Sequence, residues 1–279
     1  MRPHQWVKNC FVLAPLVFAQ QLGDVGQVVR ALVAAGLFCA ISSAVYLLND
    51  CADVDRDRAH PVKRRRPIAS GQVPVTVARR VSVLLALVAL IGGAIMSPAL
   101  AGCLAGYFAM NIAYTFVLKH VGWLDVAVIA LGFLVRVLAG AFAISVVISN
   151  WLLLCTFLLA LYLGLGKRRH ELLTTDETQQ RRSLRHYHPR AVAIGMGLTA
   201  LATAVAYGAY AVSSHAAEMF GTRLMPVTVP FIVFGVARFF MLTGPNDLRS
   251  PTERIVRDVP FVANIVGWGL VVVYLIYLQ

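Results

Sequence analysis

An all-α, polytopic membrane fold is what this sequence predicts, and three observations predict it. Hydrophobic residues make up 59% of 279 positions and the mean hydropathy is +0.73, far above the range of a water-soluble domain. Apolar runs of about 16 to 22 residues recur, each long enough, or nearly so, to cross a hydrocarbon core about 30 Å thick as a helix. Lys and Arg gather in alternate loops: of the 25, only Arg30 and Arg223 lie on the other side and only Arg136 and Arg238 inside runs. The connections leave no room for a separate soluble domain, so the chain reads as one integral domain, 1–279, with nine transmembrane helices.

The N-terminus does not read as a cleaved signal peptide, because no small-x-small pattern follows the first apolar run. Arg2-Pro3-His4-Gln5-Trp6-Val7-Lys8 predicts a short helix in the membrane interface, with Pro3 near its start and Trp6 as anchor. Residues 9–21, the shortest apolar run, make the first span. The others are 28–48, 77–96, 99–118, 123–144, 151–166, 191–212, 224–242 and 259–278. Gly102-x-x-x-Gly106 predicts close packing of the fourth span against a neighbour. The positive-inside rule places the N-terminus and the loops near 49–80, 119, 167–190 and 244–258 in the cytoplasm, with the C-terminus outward. A net charge of +12 confined to short loops fits anionic head groups and phosphate substrates better than nucleic acid. The five cysteines are scattered without a C-x-x-C pair and read as small apolar residues in helices.

The chemistry concentrates where the second span ends. Asn49-Asp50-x-x-Asp53-x-x-x-Asp57 places four oxygen-bearing side chains within roughly a 100° arc of a helix, while Asp55 points to the other side. Such a stripe suits Mg²⁺, a hard cation that takes carboxylates, keeps several waters and bridges to phosphates. Lys63-Arg64-Arg65-Arg66-Pro67 follows at once and supplies the donors that phosphate oxygens accept. His60-Pro61 and Arg66-Pro67 predict a bent loop, whose tail, 68–71, offers backbone donors. Acids beside bases at a membrane surface point to an enzyme for a phosphorylated lipid. A second long loop, 166–190, follows the sixth span and opens Gly166-Lys167-Arg168-Arg169-His170-Glu171. Here Lys167, Arg168 and Glu171 are candidate substrate contacts, and Lys167, His170 and Glu171 share a helix face. Arg181, Arg182 and Arg185 read equally well as a solvated face, and His186 and His188 lack further ligands at zinc spacing.

Arg136, deep in the fifth span, must face a cavity or a polar partner on another helix. Asp125 lies on the same face, so a cavity from the cytoplasmic mouth would pass Asp125 near its rim and reach Arg136 deeper. Arg238 is close enough to its span end to snorkel. On the fourth span, Asn111 and Tyr114 lie a turn apart and Lys119 ends the helix, so these residues are candidates for the same mouth.

The residues 49–71 resemble the first aspartate-rich motif and following loop of the UbiA-type intramembrane prenyltransferase superfamily. The resemblance implies a helical bundle around a cavity open to the cytoplasm, whose polar cap binds a Mg²⁺–diphosphate beside a polyprenyl chain. The superfamily's second aspartate-rich motif is replaced here by Gly166 to Glu171, basic with one acid. That departure resembles the branch of decaprenyl-phosphate phosphoribosyltransferases. So do Arg2 to Asn9 with Lys8, the stretch Tyr114 to Lys119, and the Arg257-Asp258 pair. The branch implies 5-phosphoribosyl diphosphate (PRPP) as donor and a polyprenyl monophosphate as acceptor, in a multi-pass protein of the cytoplasmic membrane with Mg²⁺ as cofactor. By this resemblance Asn49, Asp50, Asp53 and Asp57 hold the metal, the three aspartates being catalytic. Lys63, Arg64, Arg66, Lys167, Arg168 and Arg136 bind phosphates.

Two rivals stand beside this reading. An ordinary prenyltransferase acting on a small acceptor suits the first motif equally, and the missing second motif counts against it. A transporter would place its charged sites near the midplane, often in broken helices, whereas the charges here gather on one face. The sequence leaves a homo-oligomer open.

Overall fold

The computed structural model describes residues 3–59, 63–117, 123–174, 187–244 and 251–278, and among these it is helical without strands. Eight helices are long and apolar enough to cross a membrane. They are α2 (Val25–Ala52), α4 (Val75–Met96), α5 (Pro98–Phe116), α6 (Leu124–Ala143), α7 (Asn150–Thr174), α8 (Pro189–Val212), α10 (Val229–Leu242) with the 3₁₀ turn before it, and α12 (Val259–Tyr277). The run 9–21, expected as a ninth span, is the end of a 3₁₀ helix (Pro3–Leu13) and the five-residue α1 (Ala14–Phe18), and it runs beside α2 from Ser43 at Trp6 to Ala31 at Leu16. Two compact units are distinguished within the chain: Met1–Leu118 with Val135–Val147, and Lys119–Leu134 with Ile148–Gln279.

In the first unit the 3₁₀ helix leaves Trp6 and Val7 exposed. Asn9 and Val12 are buried, Trp6 Nε1 donates to Ser43 Oγ at 3.2 Å, and the helix packs on α2. Glycine permits this. A Cβ at Gly140 of α6 would come 1.9 Å from the Val12 carbonyl oxygen, so only a bare Cα lets the two backbones meet. The core behind it pairs large with small: Phe38, Ile41, Leu100, Leu104 and Tyr107 interleave with Ala34, Ala44, Ala86, Ala89, Ala139 and Ala143. The pair Gly102 and Gly106, expected at a tight crossing, faces open space, and the close approach between α4 and α5 is at Gly93, beside Leu104. One side of α4 presents Val83, Leu84, Leu87, Val88, Ile91 and Ile95 outward, at a spacing that lays an apolar stripe toward lipid.

α2 is the element that positions the site. Asp24 caps its start, accepting from Gly26 N–H at 2.8 Å and Gln27 N–H at 3.2 Å. Its 28 residues span about 42 Å, more than a hydrocarbon core, so its polar last turn clears the apolar zone. At the opposite end of the unit, Arg30 Nε donates to the Ala143 carbonyl at 2.8 Å and satisfies the terminus of α6.

The second unit is built on α7, α8, α10 and α12. Its core holds Val126, Tyr162, Leu165, Val192, Met196, Phe239 and Phe261. Tyr162 buries its ring and donates to the Val236 carbonyl at 2.6 Å. α7, at 25 residues, also outruns an apolar core, so its last turns carry the charged segment from Lys167 onward.

Candidate active site

The acidic stripe survives a break in the helix. α2 ends at Ala52, Asp53 is its C-cap, and α3 (Val54–Ala59) follows at once. Backbone bonds from Asp53 N–H to Asn49 O (2.9 Å) and from Asp57 N–H to Asp53 O (2.8 Å) carry helical spacing through the break. Asp57 is therefore turned inward and buried. Asp55, as expected, faces away: its side chain is 91% exposed and pairs with Arg58 at 3.4 Å.

The basic loop folds back onto this stripe. Lys63–Arg65 forms a 3₁₀ turn, Ser70 N–H closes on the Arg66 carbonyl at 2.8 Å, and Gly71 takes the left-handed conformation (φ +82°) that lets the chain turn toward α4. Ile68 pins the loop by packing with Leu47, Cys51 and Ala78, and Arg58 Nε donates to the Ala69 carbonyl at 3.3 Å. The outcome is specific. Arg66 Nη1 bridges Asp50 Oδ1 at 3.1 Å and Asp57 Oδ2 at 2.5 Å. Lys63 is half-buried and Arg64 exposed. The backbone donors expected of 68–71 are partly used inside the loop, by Ser70 and Gly71.

Among the described residues no three His, Cys, Asp or Glu side chains converge as a ready metal site. The donor set nonetheless fits a hard dication. Asn49, Asp50, Asp53 and Asp57 offer only oxygen for coordination, and two of the carboxylates already hold a positive group between them in Arg66. Asn49 is itself held. The Thr115 hydroxyl, buried on α5, lies in hydrogen-bonding contact with Asn49 Oδ1 and 2.7 Å from the Asn111 carbonyl. Lys8 and Tyr114 are half-buried.

Arg136 takes the partnered course rather than lining a cavity. It is 5% exposed, Nε donates to Asn9 Oδ1 at 2.9 Å and Nη2 to Tyr107 OH at 3.0 Å. Its guanidinium also stacks on the Phe38 and Tyr107 rings, 5.1 and 4.8 Å from their centroids. A side chain so enclosed acts as an internal strut, the polar-partner alternative the sequence offered.

In the second unit Arg168 is enclosed in the same way. It is fully buried, with Nη1 3.0 Å from Asp125 Oδ2 and 2.6 Å from Glu171 Oε2. Asp125 is no rim residue either. It is 1% exposed, accepts the Tyr187 hydroxyl proton, and takes Val126 N–H at 2.8 Å. The Trp123 backbone N–H donates to Tyr187 OH at 2.9 Å and the two rings stack 4.6 Å apart. Burial and the Asp125 carboxylate push the Tyr187 phenol well above its ordinary pKa, so it stays a donor at any physiological pH. Lys167 is exposed, Glu171 half-buried and His170 buried, so the face they were expected to share is split by burial.

Asp258 is likewise engaged. It caps α12 through Phe261 N–H at 2.9 Å, and Arg238 binds both its oxygens at 3.1 and 2.8 Å. Hydrogen bonds from Arg238 hold the Asp258 carboxyl below the usual range. Arg238, expected to snorkel, is in fact its partner, while Arg257 ends α11 (Pro251–Arg257) exposed. Lys119, Arg181, Arg182, Arg185 and His186 lie outside the described residues. Sequence reasoning missed Thr115, Asn9 and Tyr187 as partners. Only Thr115 carried a signal, one turn beyond Asn111 on the face toward the motif.

Spanning helices that carry a carboxylate–guanidinium cluster at the end of a long, capped helix define a multi-pass membrane protein with its polar chemistry at a helix terminus. The chain belongs to the UbiA prenyltransferase family, matching it over residues 10–265. It is 36% identical to a decaprenyl-phosphate phosphoribosyltransferase of Mycolicibacterium smegmatis, over 85% of this chain and 80% of that one. It is 33% identical to the protein of the same name from Corynebacterium glutamicum, over 100% of this chain and 86% of that one. The fold is similar to a UbiA homolog from Archaeoglobus fulgidus bound to GPP and Mg²⁺ (TM-score 0.72, 16% identity, 98% and 97% of the two chains). An apo UbiA homolog from Aeropyrum pernix K1 is similar to the same degree (TM-score 0.72, 12% identity, 97% and 98%).

Proposed function

We propose that this chain is a Mg²⁺-dependent membrane phosphoribosyltransferase that moves 5-phosphoribose from PRPP to a polyprenyl phosphate of decaprenyl type and releases pyrophosphate. The observation that carries the reading is Arg66 bridging Asp50 and Asp57, because it joins an all-oxygen donor set to a guanidinium that suits phosphate. Two findings favour phosphoribosyl over prenyl transfer. The relatives named above carry that activity in their names, and the one acid of the 166–171 segment, Glu171, is held by Arg168.

The acceptor phosphate is already anionic, so its oxygen attacks C1 of the ribose without a general base. The C1–O bond to the diphosphate breaks as the new C1–O bond forms, and negative charge collects on the departing pyrophosphate. Asn49, Asp50, Asp53 and Asp57 would hold Mg²⁺, which when bound would neutralise charge on that leaving group. Arg66, released from its two carboxylates, donates to phosphate oxygens, and Lys63 and Arg64 lie on the same loop to do so. The lysine and arginine asymmetry supports placing this end of α2 in the cytoplasm, the side that PRPP reaches from water.

The test is pyrophosphate release by purified protein. Release should require PRPP and polyprenyl phosphate together, stop with EDTA and return with Mg²⁺. Release that occurs without the lipid phosphate, or that ignores EDTA, contradicts the proposal.

A further inference from the structure

Thr115 is buried, 3% exposed, on the last turn of α5, and its hydroxyl meets the side chain of Asn49. It ends a polar stripe at i, i+4, i+8 spacing. Asn111 Nδ2 donates to the Tyr107 carbonyl at 2.8 Å, and the Thr115 hydroxyl lies 2.7 Å from the Asn111 carbonyl. A side-chain amide has a donor edge and an acceptor edge of the same shape, and its neighbours decide which edge faces where. The Thr115 hydroxyl has one proton and two acceptors in reach, Asn49 Oδ1 and Asn111 O. Donated to Asn49 Oδ1, that proton fixes the direction of the Asn49 amide one residue before Asp50. A hydroxyl bonded only to its own preceding turn is common in helices. One that also reaches the first residue of an acidic stripe on another helix has a second task.

We infer that Thr115 is a positioning residue for the metal: its hydroxyl donates to one lone pair of the Asn49 carbonyl oxygen and fixes that oxygen so that its other lone pair is open to the cation held by Asp50 and Asp53. This rests on the metal role proposed above, and it adds a residue on a different helix that does not itself touch the ion. Partners of this kind, one bond removed from a metal, typically contribute tenfold or more to metal affinity. Valine matches the shape of threonine without the hydroxyl, and serine restores the hydroxyl without the methyl.

The experiment is Mn²⁺ binding to purified full-length protein, read by electron paramagnetic resonance with inorganic pyrophosphate present, on wild type, T115V, T115S, N49A, D53A and N49A/T115V. T115V should weaken Mn²⁺ binding about tenfold and T115S should recover most of it. N49A/T115V should bind no more weakly than N49A alone, because Thr115 acts only through that amide. Wild-type binding in T115V, failure of T115S to recover it, or losses that multiply in the double variant each overturn the inference. If N49A and D53A are weak while T115V is normal, the positioning role alone falls. If N49A and D53A bind Mn²⁺ like wild type, the metal site falls and this inference with it.

Discussion

Arg66 places one guanidinium nitrogen between Asp50 and Asp57, so three charges share a site in which Asp57 is 3% exposed and the Arg66 side chain 30%. Such a bridge makes the acid cluster tolerable before any cation arrives and sets a donor beside it for phosphate. Asp50→Ala or Asp53→Ala should reduce transfer at least a hundredfold in membranes while the amount of folded protein stays the same; wild-type turnover in either would remove the aspartates from catalysis. Arg168 differs in kind. It is fully buried between Asp125 and Glu171, and removing it strands two carboxylates. Arg168→Ala should therefore cost about 3–5 kcal/mol of stability, read as a lowered thermal midpoint in detergent, whereas a residue that only bound phosphate would leave the midpoint unmoved. The acidic stripe was legible because its spacing is local: Asn49, Asp50, Asp53 and Asp57 fall on one helix face. The occupancy of Arg136 and Arg168 was not. Their partners, Asn9 with Tyr107 and Asp125, lie far off in sequence, so a partner could be expected for Arg136 but not named.

α2 and α7 share one device, a helix longer than the apolar zone whose last turns carry charge out of it. Hydropathy alone gave away both. It did not show the 3₁₀ form of Pro3–Leu13, because composition says nothing of which backbone a segment will meet. Gly140 supplies that meeting. Gly140→Ala should destabilise by about 1–3 kcal/mol, since its Cβ would strike the Val12 carbonyl and backbone must move. Gly102→Ala and Gly106→Ala, with nothing within 4 Å, should change the thermal midpoint by less than about 0.5 kcal/mol equivalent. The G-x-x-x-G spacing was a weak guide here because it marks a smooth face without naming a partner.

At the scale of the molecule, eight helices of spanning length among the described residues and a one-sided basic charge make orientation a physical claim rather than a convention. Substituted cysteines at Arg64 and Arg257, both exposed, should react with a membrane-impermeant maleimide only in inverted vesicles. A cysteine at Arg223 should react only from the outside of intact cells. Labelling of Arg64 from outside would reverse the topology. The fold class was readable from hydropathy and charge, and family membership followed from the same motif that carries the chemistry.

The central claim is that the sugar, not the prenyl chain, is transferred. The measurement that meets it most directly is a radiolabel transfer with purified protein and Mg²⁺. Labelled PRPP with polyprenyl phosphate runs beside labelled prenyl diphosphate with aromatic acids. The account predicts lipid-soluble ribose label that disappears with EDTA. Label moving only from the prenyl diphosphate would contradict it.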